Sequence, residues 1–197
     1  MGGLTRPDHP LEVRRFADLA PEPWRNGAGV TREVARSFEP DGSDRPRWRV
    51  SIADIATDGP FSRFPGVHRV AVLLDDAAVE LTVDGAPTAL TRFLPFSFSG
   101  DAVTSARLLS GPTRLLNVMT TEGPGGAVID VVSEGRVEIS ADDPATHVVM
   151  ILDGRATVVR QPTDATALGP LDAVLALGRV ALEVDVGDGS AAVARLV

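Results

Sequence analysis

The sequence predicts an all-β protein built from two related halves. Three observations carry this: short β-branched runs spaced by turn residues, thin evidence for helix, and an echo of the first half in the second. Most apolar runs are four to seven residues long and recur about every ten residues between Gly, Pro and Asp. They include Trp48–Ile55, Val70–Leu74, Val79–Val83, Phe96–Phe98, Leu115–Met119 and Val128–Val132. Beyond them follow Val148–Leu152, Ala156–Val159, Ala173–Leu177, Leu182–Val186 and Ala192–Val197. Asp84-Gly85 and Asp153-Gly154 supply turn dipeptides that tolerate positive φ. Only Pro10–Leu19 has helical spacing, with Leu11, Arg15 and Leu19 on one side.

The echo runs at a constant offset of 78 residues. Leu74 falls on Leu152, Leu90 on Leu168, Gly100 on Gly178, Gly111 on Gly189 and Leu115 on Val193. The reading is a duplicated β unit, with residues 11–125 as one domain and 126–197 as the other; the alternative is one irregular barrel with strands of similar length. The segment Trp24–Phe64 has no counterpart in the second half, so chemistry is expected in the first and scaffold in the second.

Composition removes several function classes. There are 197 residues, no Cys and no Tyr, and the 19 basic residues are all Arg. Disulfides, thiolate metal sites, Cys nucleophiles, Schiff-base lysines and phenolic acids are therefore excluded. The net charge of −8 and the lack of a basic cluster argue against nucleic acid as a partner. No apolar stretch approaches a membrane span or a signal-peptide core, so a cytoplasmic location is expected. His9, His68 and His147 are scattered with no HxH pair, so no metal and no cofactor is expected.

Three segments carry candidate chemistry. Trp24–Glu33 groups an aromatic, the amide of Asn26, Gly27, Gly29 and the carboxylate of Glu33. Glycines let backbone approach a ligand, although the same segment also reads as a glycine turn entering a strand. Alternation in Trp48–Ala53 places Arg49 and Ser51 on the face opposite Trp48, Val50 and Ile52. That face is either solvated or the wall of a barrel cavity where Arg49 clamps a carboxylate, with Glu33 as its internal partner. Asp58–Arg69 is a stiff loop whose Pro60 and Pro65 restrict φ and whose Phe61 and Phe64 form either a pocket rim or a plug.

Together these blocks resemble the HutD/Ves family of bacterial proteins, often encoded with histidine-degradation enzymes. The resemblance rests on Trp24-Arg25-Asn26-Gly27 with Gly29, Thr31 and Glu33, on Trp48–Ala53, and on Gly59-Pro60-Phe61-Ser62 with Phe64-Pro65-Gly66 and Arg69. Pro95-Phe96, Gly100-Asp101 and Leu116-Asn117-Val118-Met119 continue it, over about residues 11–132. It implies a bicupin, two fused cupin-like barrels, with a pocket in the first barrel and no obligatory metal. It also implies a role in sensing or limiting histidine breakdown by binding an acidic intermediate such as formylglutamate or urocanate. The resemblance extends the candidate site to Ser62, Arg69 and Asn117 beside Trp24, Asn26, Gly27, Glu33, Arg49, Ser51, Phe61 and Phe64. One departure is Ala28, where the family loop reads "NGGG"; its methyl group stands where backbone would approach the ligand.

The expected partner is thus a small acidic metabolite, with a homodimer left open. Two other readings stand beside it. One is a metal-independent hydrolase or isomerase of a small carboxylate using Glu33 or His68 as general base, and the other is a structural partner protein.

Overall fold

The computed structural model describes residues 11–39, 41, 46–121, 127–161 and 164–197. Apart from a 3-10 turn at Phe16–Asp18, the regular elements among these residues are strands. The first six are β1 (Leu11–Arg14), β2 (Pro21–Pro23), β3 (Gly29–Phe38), β4 (Pro46–Ile55), β5 (Gly59–Pro60) and β6 (Val67–Leu73). Next come β7 (Val79–Val83), β8 (Ala86–Ala89), β9 (Phe96–Ser99), β10 (Thr104–Leu108), β11 (Thr113–Thr121) and β12 (Ala127–Ile139). The last five are β13 (Thr146–Asp153), β14 (Ala156–Gln161), β15 (Asp164–Leu168), β16 (Ala173–Ala176) and β17 (Leu182–Leu196). No helix among the described residues is long and apolar enough to cross a membrane.

The chain divides into two compact units. The N-terminal unit comprises Ala17–Val131 with Leu196, and the C-terminal unit comprises the described residues 11–16, 132–195 and 197. In the N-terminal unit one sheet runs β2-β3-β4-β11-β6-β9 and a second runs β5-β10-β7-β8. The sheet of the C-terminal unit runs β1-β16-β13-β17-β14-β15, with β12 also paired to β17.

The helix expected near the N-terminus is not formed. Residues Leu11–Arg14 are instead a strand, antiparallel to β16 in the register Leu11↔Ala176 to Arg14↔Ala173. The spacing that suggested a helix also satisfies alternation, with Leu11 and Val13 packing on the C-terminal core. Arg15 donates to Asp172 Oδ2 at 2.7 Å and the Phe16 N–H to Asp172 Oδ1 at 3.0 Å, holding the segment there. The segment from 11 to 16, assigned with the first half from sequence, therefore falls in the C-terminal unit, with Leu11–Arg14 in its sheet.

The offset of 78 is a structural repeat. Adding 78 to the bounds of β7, β8 and β9 gives 157–161, 164–167 and 174–177, each within one residue of β14, β15 and β16. Pairings repeat as well: β7 with β8 and β10 corresponds to β14 with β15 and β17. A strained detail recurs too. Phe93 (φ 62°) and Leu171 (φ 67°) are non-glycine residues in the left-handed region, which is uncommon for bulky side chains. Phe93 N–H donates to the Leu73 carbonyl at 2.9 Å and Leu171 N–H to the Ile151 carbonyl at 2.7 Å, both pairs being shifted by 78. The two units thus repeat one strand frame at an offset of 78 residues.

The two cores differ in chemistry. That of the C-terminal unit is aliphatic, built on Val149, Ile151, Val158, Leu168, Val184 and Val186. That of the N-terminal unit contains aromatics, with Phe98 buried among Ile55, Leu73, Leu81 and Leu115 and with Trp24 and Phe61 packed on its edge.

The C-terminal unit also holds a polar cluster with a pH signature. Arg195 donates from Nε and Nη2 to Asp143 at 2.8 and 3.0 Å, and this hydrogen-bonded guanidinium, with the Ala145 N–H, lowers the Asp143 pKa from 3.8 to about 2. Burial lowers that of His147 below its ordinary 6.5, outweighing the attraction of Asp143. Below pH 6.5 the unfolded chain therefore takes up a proton at His147 before the folded one does, and stability falls as the pH drops. The contribution of Asp143 is intact above its unfolded value and is lost as the pH falls through about 2. Urea denaturation from pH 8 to 5 is expected to show falling stability, and His147→Gln to flatten that slope; an unchanged slope in the variant would assign it to other groups.

Candidate ligand site

The site is set by strand register in the N-terminal unit. One row across five strands reads Arg36↔Arg49↔Met119↔Arg69↔Phe98, and the neighbouring row reads Glu33↔Ser51↔Asn117↔Ala71↔Phe96. On β4, β11, β6 and β9 the two rows are two residues apart, so their side chains share one face of the sheet. On β3 a bulge between Glu33 and Ala35 adjusts the spacing. This face is one wall of a cavity of about 540 Å³.

Of the residues singled out in the sequence, Trp24, Asn26, Arg49, Ser51, Phe61, Ser62, Phe64, Arg69 and Asn117 line the cavity. Gly27 and Glu33 do not. Gly27 serves the loop geometry: it sits at φ +71° and donates its N–H to the Trp24 carbonyl at 3.0 Å. Glu33 acts one step back, accepting from Arg49 Nε at 2.9 Å and from Arg36 Nε at 3.2 Å. Arg49 thus faces the cavity with an internal carboxylate already on it.

Arg69 is different. It is 5% exposed and belongs to no ion pair among the described residues. Its guanidinium carbon lies 5.3, 5.4 and 4.8 Å from the ring centroids of Phe61, Phe64 and Phe98. Its hydrogen bonds, to the Ser62 carbonyl and to Asn117 Oδ1, are both long at 3.4 Å, and its Nε has no partner. Desolvation lowers its pKa to about 10, so the group remains a cation at neutral pH. Three aromatic faces offset part of the burial cost. They supply no hydrogen-bond acceptor.

The aromatic loop is held in place from several sides. The Phe61 N–H donates to the Thr104 carbonyl and the Phe64 N–H to the Gly100 carbonyl, both at 2.8 Å. A Cβ on Gly100 would stand 2.5 Å from the Phe64 carbonyl oxygen, so only glycine lets the loop approach this closely. Phe61 both lines the cavity and packs on the core, so the rim and the plug expected of this loop are parts of one arrangement.

Trp24 donates from Nε1 to Thr31 Oγ1 at 2.8 Å and meets Phe61 edge to face. Asn26 Oδ1 accepts the Ala28 N–H at 3.1 Å. Ala28 is buried, its carbonyl accepts from the Ala56 N–H, and it is not among the residues lining the cavity.

Glu22, Pro23, Arg25, Thr31, Ala53, Pro60 and Met119 also line the cavity and are not among the candidate site residues read from sequence. Alternation with Ser51 and Asn117 could have found Ala53 and Met119. No sequence signal marks Glu22 and Pro23, which arrive through the pairing of β2 with β3. His68 precedes Arg69 on β6 and so points to the opposite face, and it is absent from the lining. It is therefore not a base for a ligand in this cavity. Among the described residues no three His, Asp or Glu side chains converge as a metal site requires.

A family model described as HutD matches residues 16–194. The chain belongs to the HutD family. It is 40% identical over 110 residues to an uncharacterized 21.2 kDa protein of the hutC 3′ region of Pseudomonas putida, covering 55% of this chain and 57% of that one. It is 44% identical over 99 residues to protein Ves of Escherichia fergusonii, covering 49% and 51%. The chain thus matches these curated relatives over about half of their length. The structure of HutD from Pseudomonas fluorescens SBW25 superposes with a TM-score of 0.79 at 30% identity, over 94% of this chain and 97% of that one. A cupin 2 conserved barrel domain protein from Leptotrichia buccalis, at 10% identity and a TM-score of 0.57 over 94% and 96%, shares the fold. This HutD-family protein is accordingly an all-β bicupin.

Proposed function

We propose that this HutD-family protein binds a small carboxylate metabolite in its N-terminal barrel, with Arg69 as the anion clamp, and through that binding senses or limits histidine breakdown. The observation that carries the reading is the buried Arg69 guanidinium, with an unpartnered Nε and no ion pair among the described residues. A buried cation left uncompensated costs several kcal/mol, and an anion from solution relieves that cost while making charge-assisted bonds. Arg49, engaged by Glu33, serves as a second contact rather than the primary one.

The cavity wall suits an acid with a polar tail. Ser51 and Asn117 offer polar groups beside the clamp, Phe61 and Trp24 offer flat apolar surface, and Arg25 adds positive charge. Formylglutamate and urocanate both fit this description, and the relative from the hutC 3′ region supports the link to histidine utilisation. Melting curves with each acid, followed by calorimetric titration and a product assay, test the reading. Ligand at 100 times its Kd is expected to add about 2.7 kcal/mol to stability. Stabilisation without turnover is the expected result; no response to any carboxylate would remove the proposal, and turnover would turn it into the enzyme reading.

A further inference from the structure

A second cation centre lies in the C-terminal unit, at positions related by the repeat to the ligand cavity. Adding 78 to Arg69 gives His147, and adding 78 to Asn117 gives Arg195. The strand frame matches here, because Arg69 pairs with Phe98 and His147 with Ala176, again 78 residues on. The cation has exchanged strands: in one unit it stands on β6 with an amide on β11, in the other it stands on β17 with an imidazole on β13.

The anion is what differs. Arg69 has none among the described residues, whereas Arg195 holds both oxygens of Asp143, at 2.8 and 3.0 Å. Asp143 Oδ1 also accepts the Ala145 N–H at 2.9 Å, and Oδ2 lies 3.5 Å from His147 Nε2. This carboxylate is surrounded by donors as a bound carboxylate would be. His147 is 5% exposed and presents its Nε2 to this carboxylate.

We propose that this centre is a carboxylate-binding site with its occupant built in, Asp143 standing where a small monocarboxylate would otherwise sit. Removal of the Asp143 side chain then opens the position to formate or acetate, held by Arg195 and the Ala145 N–H with His147 alongside. The unit thereby needs no ligand from solution, in contrast to its repeat. The proposal concerns Asp143, Ala145, His147 and Arg195 and stands or falls whatever the N-terminal cavity binds.

The test uses the full chain carrying Asp143→Ala in an Arg69→Met background, so that the N-terminal cavity does not contribute. Melting curves at pH 7 with sodium formate or acetate are compared with sodium chloride at equal ionic strength. The variant is expected to melt below its parent and to recover with carboxylate, saturably, with a Kd on the order of millimolar. Chloride should give no recovery, and further replacement of Arg195 by Met should abolish it. Recovery that is absent, that persists without Arg195, or that is equal in the parent retaining Asp143 overturns the proposal. Asp143→Ser keeps an oxygen for the Ala145 N–H and is the second variant if the first does not fold. Folding of either one only in the presence of carboxylate supports the site, and failure of both with carboxylate present rejects it.

Discussion

Replacing Arg69 with methionine is expected to stabilise the ligand-free protein while removing its affinity for carboxylates. The native residue pays for its position: burial lowers its pKa from the ordinary arginine range to about 10, a difference worth roughly 3 kcal/mol. Methionine fills a similar channel, packs favourably on the rings of Phe61, Phe64 and Phe98, and carries no charge to desolvate. Against this, Asn117 Oδ1 loses its donor, which costs ~1 kcal/mol, and the cation–π contacts are lost. The balance favours the variant by roughly 1–2 kcal/mol, in the range seen when buried charges give way to apolar side chains. At roughly 2–4 °C per kcal/mol for a chain of this size, the melting temperature should rise by several degrees. Truncating one partner of a buried charge pair weakens binding by about 2–5 kcal/mol, so carboxylate affinity should fall at least 30-fold. A variant that melts lower and still binds would show that Arg69 is a structural residue and that the clamp lies elsewhere.

The fold was legible because most strands announce themselves locally. Val79–Val83 is β-branched, alternates, and ends at Asp84-Gly85, where both residues take positive φ in the hairpin turn. The repeat was legible because its register is ungapped. What sequence does not display is which strands become neighbours. Residues Leu11–Arg14 form β1 only because β16 offers an edge more than 150 residues away, and no local pattern encodes that pairing. The same limit applied to the site. Alternation on β4 marked Arg49 and Ser51, but the row linking Arg49 through Met119 to Arg69 exists only in the sheet. A signal for Arg69 was nonetheless present. In Val67–Leu73 the positions 69, 71 and 73 form one face, and an arginine there interrupts an inner surface otherwise made of Ala71 and Leu73. Asn117 does the same between Leu115 and Met119. Two polar residues on inward faces of different strands mark a site more sharply than an arginine on a face that solvent could cover.

Asn117→Asp should occupy the clamp from within and abolish carboxylate binding without unfolding the protein. The substitution is isosteric, and the oxygen concerned already lies 3.4 Å from Arg69 Nη2. Conversion of that amide to a carboxylate turns a long neutral contact into a charge-assisted pair, roughly twice as strong, and reproduces for Arg69 the arrangement Arg195 already has with Asp143. The burial cost of the new charge is offset because Arg69 is already desolvated and gains its counter-ion, so the melting temperature should hold or rise slightly. An incoming carboxylate then meets a neutral pair instead of a bare cation, and repulsion from Asp at 117 adds to the loss of its donors. The expected fall in affinity is about 100-fold or more, equivalent to ~2.8 kcal/mol. Calorimetric titration of Asn117→Asp beside Asn117→Ser separates charge from shape. The serine variant removes the amide without adding charge and should bind within about tenfold of the parent, because one neutral hydrogen bond contributes ~1 kcal/mol. Equal losses in both variants would mean that Asn117 recognises the ligand through its amide, and undiminished binding in the aspartate variant would place the ligand's carboxylate away from Arg69.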